Sequence, residues 1–365
     1  MSNNIQNQFV PDYVSLPGET LEEALEERGM TQAELAERMG RPKKTISEII
    51  NGKAALTPDT ALQLELVLGI PASFWNNLER NYQEALARLT QKERLVKQVV
   101  WLKQIPVKEM IKLRWIESYK DKVEQLREVL NFFGVASPEQ WEQFWGGIQV
   151  NFRKSNAFES NFAAVTAWLR QGEIEAAKID CANYNASQFK AALQQIRALT
   201  VESPEVFQTK LVNLCAAAGV AVVFVPKLPK TRASGATRWL NPNKALIQLS
   251  LRYKTDDHLW FSFFHEAGHI LLHGKRDVFL EDNGIETTDK ADKEQEANLF
   301  AANLLIPPAE LKRFIESDQY RSIPGIKKFA REISIAPGIV VGRLQYDGIL
   351  PRNHGNKLKC KLEWV

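Results

Sequence analysis

His265-Glu266-Ala267-Gly268-His269 sets two imidazoles four residues apart, with a carboxylate directly after the first. On a helix, residues four apart project from one face a little over one turn apart, so both rings reach a single ion. Glu266 points to the side of that pair. From there it can take a proton from an attacking water rather than bind the metal itself. Four of the five histidines fall between His258 and His273, a clustering that two satisfied core histidines would not require.

A catalytic zinc takes three protein ligands and leaves a position for water. The extended motif with a further Gly and His fails here, because Leu272 and Lys275 occupy those positions. His273 lies eight residues beyond His265, roughly 12 Å along a helix at about 1.5 Å per residue, and reads as a helix-end residue. A carboxylate on a second helix is the better choice. In Glu294-Gln295-Glu296-Ala297-Asn298-Leu299-Phe300-Ala301-Ala302-Asn303-Leu304-Leu305 the apolar face runs along Ala297, Phe300, Ala301, Leu304 and Leu305. Glu294 falls about 50° from the centre of that face and Glu296 about 110°, so Glu294 is the candidate third ligand. Asn298, four residues on, is placed to orient a ligand from behind. The competing reading makes Glu294 one more solvated charge on a helix rim. Tyr253 and His258 are the nearby candidates for stabilising an oxyanion.

The elements around this pattern are those that could hold it. Trp260-Phe261-Ser262-Phe263-Phe264 before the motif and Ile270-Leu271-Leu272 after it predict a buried helix stopped at Gly274. Ahead of it, Gly219 to Val225, Ala236 to Trp239 and Ala245 to Leu249 predict a small sheet with a turn at Asn241-Pro242-Asn243. The last fifty residues predict two short helices about Ala336-Pro337-Gly338, a second helix-turn-helix-like unit.

The chain opens differently. Pro17 to Leu89 predicts short amphipathic helices punctuated at Gly29, Gly40-Arg41-Pro42, Gly52, Thr57-Pro58 and Gly69-Ile70-Pro71. Within it, Gln32 to Asn51 has helix-turn-helix spacing. Thr31 caps the first helix with Glu34 three residues later, Ala36 is small at the helix crossing, and Gly40 sits in the turn. Leu35 and Met39, then Ile46 and Ile49, form the inner faces. Gln32, Arg41, Lys43, Lys44, Thr45 and Ser47 are the candidate DNA-contacting residues. The acidic run from Glu19 to Glu27 counts against DNA binding, but Arg38, Arg41, Lys43, Lys44 and Lys53 gather where phosphates would lie. A helical dimerisation module without DNA affinity is the alternative.

Between these regions, residues 91–200 predict long helices broken at Pro106, Gly134 and Gly146-Gly147. Their role is unassigned. A basic stretch there (Lys92, Arg94, Lys97, Lys103, Lys108, Lys112, Arg114), interleaved with Trp101 and Trp115, reads as a solvated helical face, with further DNA or substrate contact as the alternative.

Gln32 to Asn51 and its continuation through Leu56-Thr57-Pro58 to Phe74-Trp75 resemble the HigA-type antitoxins among the XRE-like helix-turn-helix repressors. Phe264 to His273, together with Glu294 to Asn298 and Phe300-Ala301, resembles the ImmA/IrrE metallopeptidases over roughly residues 205–308. The second resemblance implies zinc held by His265, His269 and Glu294, with Glu266 as base. It also implies a protein substrate of the repressor kind. The first implies an operator, repression of its own promoter and a toxin partner, although no toxin-contacting element can be read.

Composition bounds these readings. With 365 residues, 44% hydrophobic and 25% charged, the chain is long enough for two or three soluble domains, and a net charge of +3 leaves nucleic-acid contact to a local patch. Cys181, Cys215 and Cys360 form no disulfide framework or metal clip. The polar start and the absence of an apolar run near 18 residues give neither a signal peptide nor a span, so a cytoplasmic location is expected. The expectation is a mostly helical α+β chain in four parts. Residues 1–90 are an all-α helix-turn-helix domain, 91–200 a helical region, 201–315 a zincin-like peptidase domain with a small sheet, and 316–365 the second helix-turn-helix-like segment. It dimerises on two half-sites and contacts no membrane. Two functions compete: a zinc endopeptidase that processes a repressor, and an antitoxin-like autorepressor whose metal site turns over nothing.

Overall fold

The computed structural model describes residues 15–152, 162–229, 231, 233–250, 254–274, 279–280 and 288–363. It is mostly helical and divides into two compact units, residues 1–99 and 100–365.

Among the described residues the first unit holds five helices: α1 (Pro17–Glu27), α2 (Gln32–Met39), α3 (Lys43–Ile50), α4 (Pro58–Leu68) and α5 (Ala72–Gln98). Leu21, Leu25, Leu35, Met39, Ile46, Ile49, Leu64 and Trp75 meet in one core. Thr31 caps α2 by accepting a hydrogen bond from the Glu34 amide at 3.1 Å. Gly40 then takes the left-handed conformation (φ 63°), which lets the Arg41 amide donate back to the Ala36 carbonyl at 2.9 Å and aims the chain into α3. Thr90 to Gln98 holds neither Gly nor Pro, so α5 runs on through 27 residues and the expected boundary after residue 90 falls inside it.

The second unit begins with α6 (Val107–Lys112), α7 (Lys122–Phe133), α8 (Pro138–Phe152), α9 (Phe162–Ala177), α10 (Ala186–Ala198) and α11 (Pro204–Ala217). Pro106 caps the start of α6 and Gly134, at φ 66°, ends α7. Gly146 and Gly147 do not break the chain, contrary to expectation: both lie inside α8. Trp141 and Trp145 of that helix are buried against Phe133, and this packing outweighs the roughly 1 kcal/mol that each helical glycine costs. Trp101 is likewise core, whereas all seven basic residues from Lys92 to Arg114 are exposed.

There follow β1 (Val220–Phe224), β2 (Gly235–Asn241), β3 (Lys244–Leu249), α12 (Asp256–Leu272), β4 (Phe279–Leu280) and α13 (Thr288–Leu305). The chain closes with α14 (Pro308–Glu316), α15 (Ile323–Glu332) and α16 (Pro337–Tyr346). The sheet order is β1-β3-β2-β4, with β1 parallel to β3 and the other pairs antiparallel. Both faces are covered, so the strands read as continuous apolar runs rather than alternating ones. On one face Val220, Val222, Ile247 and Leu249 join Phe263, Phe264 and Ala267 of α12. On the other, Gln248 donates to the Trp168 carbonyl of α9 at 2.6 Å, and buried Arg238 pairs with Glu173 at 2.8 Å. Helices α15 and α16 contribute Ile326, Phe329, Val340, Val341 and Leu344 to the same core as α12.

The start of α12 is clamped by the end of the described chain. The Asp256 backbone and side chain interlock with the Cys360 backbone: Asp256 N–H donates to the Cys360 carbonyl at 3.0 Å, and Cys360 N–H donates to Asp256 Oδ1 at 2.9 Å. Lys359 pairs with Asp257 at 2.7 Å. Burial pushes the Asp256 carboxyl up to about 6, against the pull of these backbone amides. Its ordinary value is 3.8, so folding takes up a proton between about 4 and 6 and stability falls as pH rises through that window. The Asp257 and Cys360 backbone amides both donate to Asp256 Oδ1, an acceptor that asparagine keeps. Asp256→Asn should therefore raise the melting temperature at pH 7.5, by at most about 3 kcal/mol of stability, with the gain fading below pH 4. Thermal unfolding across pH 4–8 checks this; a gain independent of pH would overturn the burial argument.

Candidate metal centre and nucleic-acid interface

Helix α12 carries the histidine pair into the interior: His265 is 2% exposed, His269 1% and Glu266 0%. The two Nε2 atoms lie 2.9 Å apart, and α13 brings Glu294 to them, Oε2 at 3.0 Å from His265 Nε2 and Oε1 at 3.3 Å from His269 Nε2. All three residues offer a ligand atom within 4.8 Å of one another. Burial, the largest effect, holds His269 down at about 4, helped by the neighbouring His265 and opposed by the hydrogen bond to Glu294. Burial alone would raise Glu294, but its bonds to His265 and His269 overcome that and hold it down at about 2. The close His–Glu approach suggests ion pairs, whereas the low His269 value suggests a neutral ring. The burial argument is the stronger for a ring 1% exposed. Two neutral imidazoles and a carboxylate are the donor set a divalent cation takes. Two donors about 2.05 Å from a tetrahedral ion lie about 3.3 Å apart, close to the spacing of these three groups.

Each ring is held from behind. Asn298 Oδ1 lies 3.0 Å from His265 Nδ1, so that nitrogen carries the proton and Nε2 keeps its lone pair for the centre. His269 Nδ1 lies 2.9 Å from His273 Nδ1, whose Nε2 is 3.1 Å from Glu296 Oε2. His273 is not among the three residues whose ligand atoms converge, as rise along the helix leads one to expect. That rise gives no hint that His273 backs His269, because that contact depends on side-chain rotation and on the approach of α13.

Two glycines make the geometry. A Cβ on Gly268 would lie 3.1 Å from Phe300 Cδ1 and 3.2 Å from Ala297 Cα, so α12 and α13 cross at a distance that suits a bare glycine. A Cβ on Gly235 of β2 would lie 2.5 Å from Glu266 Oε1 and 2.8 Å from its Cγ. The Glu266 side chain thus occupies the place a side chain on β2 would fill. Thr237, two residues along on the same face, donates to the Glu266 carbonyl at 3.2 Å. His258 lies in the first turn of α12, seven residues before His265, and Tyr253 lies outside the described residues.

In the first unit, Lys43 and Lys44 open α3 and are exposed, while Thr45 and Ser47 are half-buried beside them. Gln32, at the start of α2, is half-buried. Arg41 is tied back to α4: its Nε donates to Gln63 Oε1 at 2.5 Å and its guanidinium pairs with Asp59 at 2.9 Å. That contact fixes the turn between α2 and α3 and reduces the freedom of Arg41 to reach a phosphate. Lys44 pairs loosely with Glu48 at 3.7 Å. Among the described residues no helix is long and apolar enough to cross a membrane.

Comparison with known proteins gives two family matches, one in each unit. Residues 21–75 match the Helix-turn-helix family model and residues 215–344 the IrrE N-terminal-like domain, a metallopeptidase-type family. The HTH-type transcriptional regulator YddM of Escherichia coli (strain K12) is 36% identical over 74 residues, 20% of this chain and 79% of that protein. Virulence-associated protein A of Dichelobacter nodosus is 38% identical over 66 residues, 18% of this chain and 63% of that one. Antitoxin HigA-1 of Vibrio cholerae is 43% identical over 63 residues, so this chain spans 59% of its length. A solved addiction module antidote protein of the HigA family from Coxiella burnetii is 31% identical and covers 23% of this chain and 94% of its own, with a TM-score of 0.22. By residues 21–75 the chain belongs to the XRE-like helix-turn-helix regulators, and by residues 215–344 it carries an IrrE/ImmA-like M78 peptidase domain.

Proposed function

We propose that this chain is a DNA-binding regulator that hydrolyses a peptide bond in a repressor-type protein at a zinc centre held by His265, His269 and Glu294. The observation that carries this reading is the buried Glu266 beside the converged donor set, packed into the space left by Gly235. A bound zinc ion would polarise the scissile carbonyl and lower the pKa of the attacking water. Glu266 takes the proton of that water and delivers it to the leaving amine. Asn298 and His273 hold the two rings so that their Nε2 atoms face Glu294. The N-terminal unit brings the peptidase to an operator through Lys43 and Lys44, with Gln32, Thr45 and Ser47 beside them, and two copies bind two half-sites.

The likeness of the helix-turn-helix to antitoxin HigA-1 favours a second reading, an autorepressor with a toxin partner whose metal serves structure alone. A structural site needs no base, and the placement of Glu266 supports the peptidase. Elemental analysis of the parent beside His269→Ala tests the centre. About one zinc per chain is expected in the parent, lost from the variant. A parent that takes up no divalent metal when purified without chelator and then supplied with zinc would leave only the repressor.

A further inference from the structure

We infer that His273 and Glu296 are positioning residues that act in series through His269 to set how tightly the centre holds its metal. The inference rests on the metal-centre reading above. Three contacts carry it: His269 Nε2 to the His265–Glu294 cluster, His269 Nδ1 to His273 Nδ1 at 2.9 Å, and His273 Nε2 to Glu296 Oε2 at 3.1 Å. One proton assignment satisfies all of them with a metal present. His269 must keep its Nε2 lone pair for the ion, so its proton sits on Nδ1 and is donated to His273 Nδ1. His273 must then carry its own proton on Nε2 and donate it to the Glu296 carboxylate.

The negative charge of Glu296 is thereby passed through two imidazoles to the metal-facing nitrogen, raising its basicity and fixing the ring's rotation. His273 suits the task because it ends α12. As the C-cap residue its backbone is extended, which frees the ring to fold back over His269 rather than point one turn further along the axis. Its side chain is only 3% exposed, whereas Glu296 is 62% exposed and contributes as the outer, charged end. Behind the other ring, Asn298 Oδ1 lies against His265 Nδ1. A charged chain thus stands behind His269 and a neutral amide behind His265.

The test is zinc affinity, measured by competition with a chromophoric chelator on the full chain, for the parent, His273→Ala, Glu296→Ala and the double variant. His273→Ala should weaken zinc binding about 10–100-fold, the range for loss of an outer-shell partner, and Glu296→Ala by less. Because the groups act in series, Glu296→Ala should add nothing in the His273→Ala background; two independent structural losses would add instead. Glu296→Gln keeps an acceptor and should recover part of the Glu296→Ala loss. The cobalt-substituted spectra of parent and Glu296→Ala should share one ligand-field pattern, since no ligand changes. Affinity within twofold of the parent for His273→Ala, or an undiminished Glu296→Ala effect in its absence, overturns the relay while leaving the centre intact. If His273→Ala fails to fold, the exposed Glu296 variants decide alone: no loss in Glu296→Ala overturns the relay. A parent that binds no zinc overturns the centre and the relay together.

Discussion

Glu266→Gln should retain its metal and lose about 10²- to 10⁴-fold in hydrolysis, the contribution of a general base at this step. Glutamine keeps the shape of the side chain and gives up only the ability to take a proton. It also removes an ionisable group from a site with 0% exposure, so folding should not suffer. The companion change is Gly235→Ala. Gly235 does not have a backbone conformation that demands glycine, so alanine meets no strain of its own. Its Cβ would nevertheless sit 2.5 Å from Glu266 Oε1, and β2 cannot retreat because it is hydrogen-bonded to β3 and β4 on both sides. The carboxylate must move while the three metal donors stay, so Gly235→Ala should resemble Glu266→Gln: metal bound and cleavage lost. Counting new protein N-termini in cells that express the parent or either variant reads out cleavage, and elemental analysis reads out bound metal. Loss of metal from Glu266→Gln would make Glu266 a ligand. Cleavage equal to the parent would assign the base elsewhere.

What the sequence made legible follows how local each feature is. Helix α12 was readable because its apolar flanks, the histidine spacing and the stop near Gly274 all lie in one segment of the chain. The approach of Glu294 was readable because the apolar face of α13 sets which way its first carboxylate leans. Thr31, Gly40 and the inner faces of α2 and α3 follow local rules in the same way. Features made by contacts between distant segments were not readable. Whether Gly146-Gly147 ends a helix depends on Trp145 finding a pocket against Phe133. The tethering of Arg41 to Asp59 and Gln63 depends on where α4 returns. His273 backs His269 only because α13 presents Glu296 opposite it. Gly235 stands thirty-one residues before Glu266, and its small size has meaning only once β2 lies against α12.

Gly268→Val should cost the centre its metal while leaving the other helices folded. The position is mid-helix, where propensity alone favours replacing glycine: alanine is better by about 1 kcal/mol. Packing says the opposite. A Cβ here already meets the backbone of Ala297 at 3.2 Å and the Phe300 ring at 3.1 Å, so alanine requires a shift of a few tenths of an ångström and valine considerably more. Helix α13 must yield. It carries Glu294 about one turn before Ala297 and Asn298 directly after it, so the displacement is delivered to the third ligand and to the group behind His265. Overpacking of this kind costs about 1–3 kcal/mol of stability, and a ligand moved off its donor spacing should weaken metal binding by at least about 100-fold. The expected order of zinc affinity is therefore Gly268, then alanine, then valine, although helix propensity favours alanine over glycine. If valine binds zinc as the parent does, the close crossing of α12 and α13 is not what holds Glu294 in place, and the cluster is fixed by the apolar contacts further along α13 at Ala301 and Leu305.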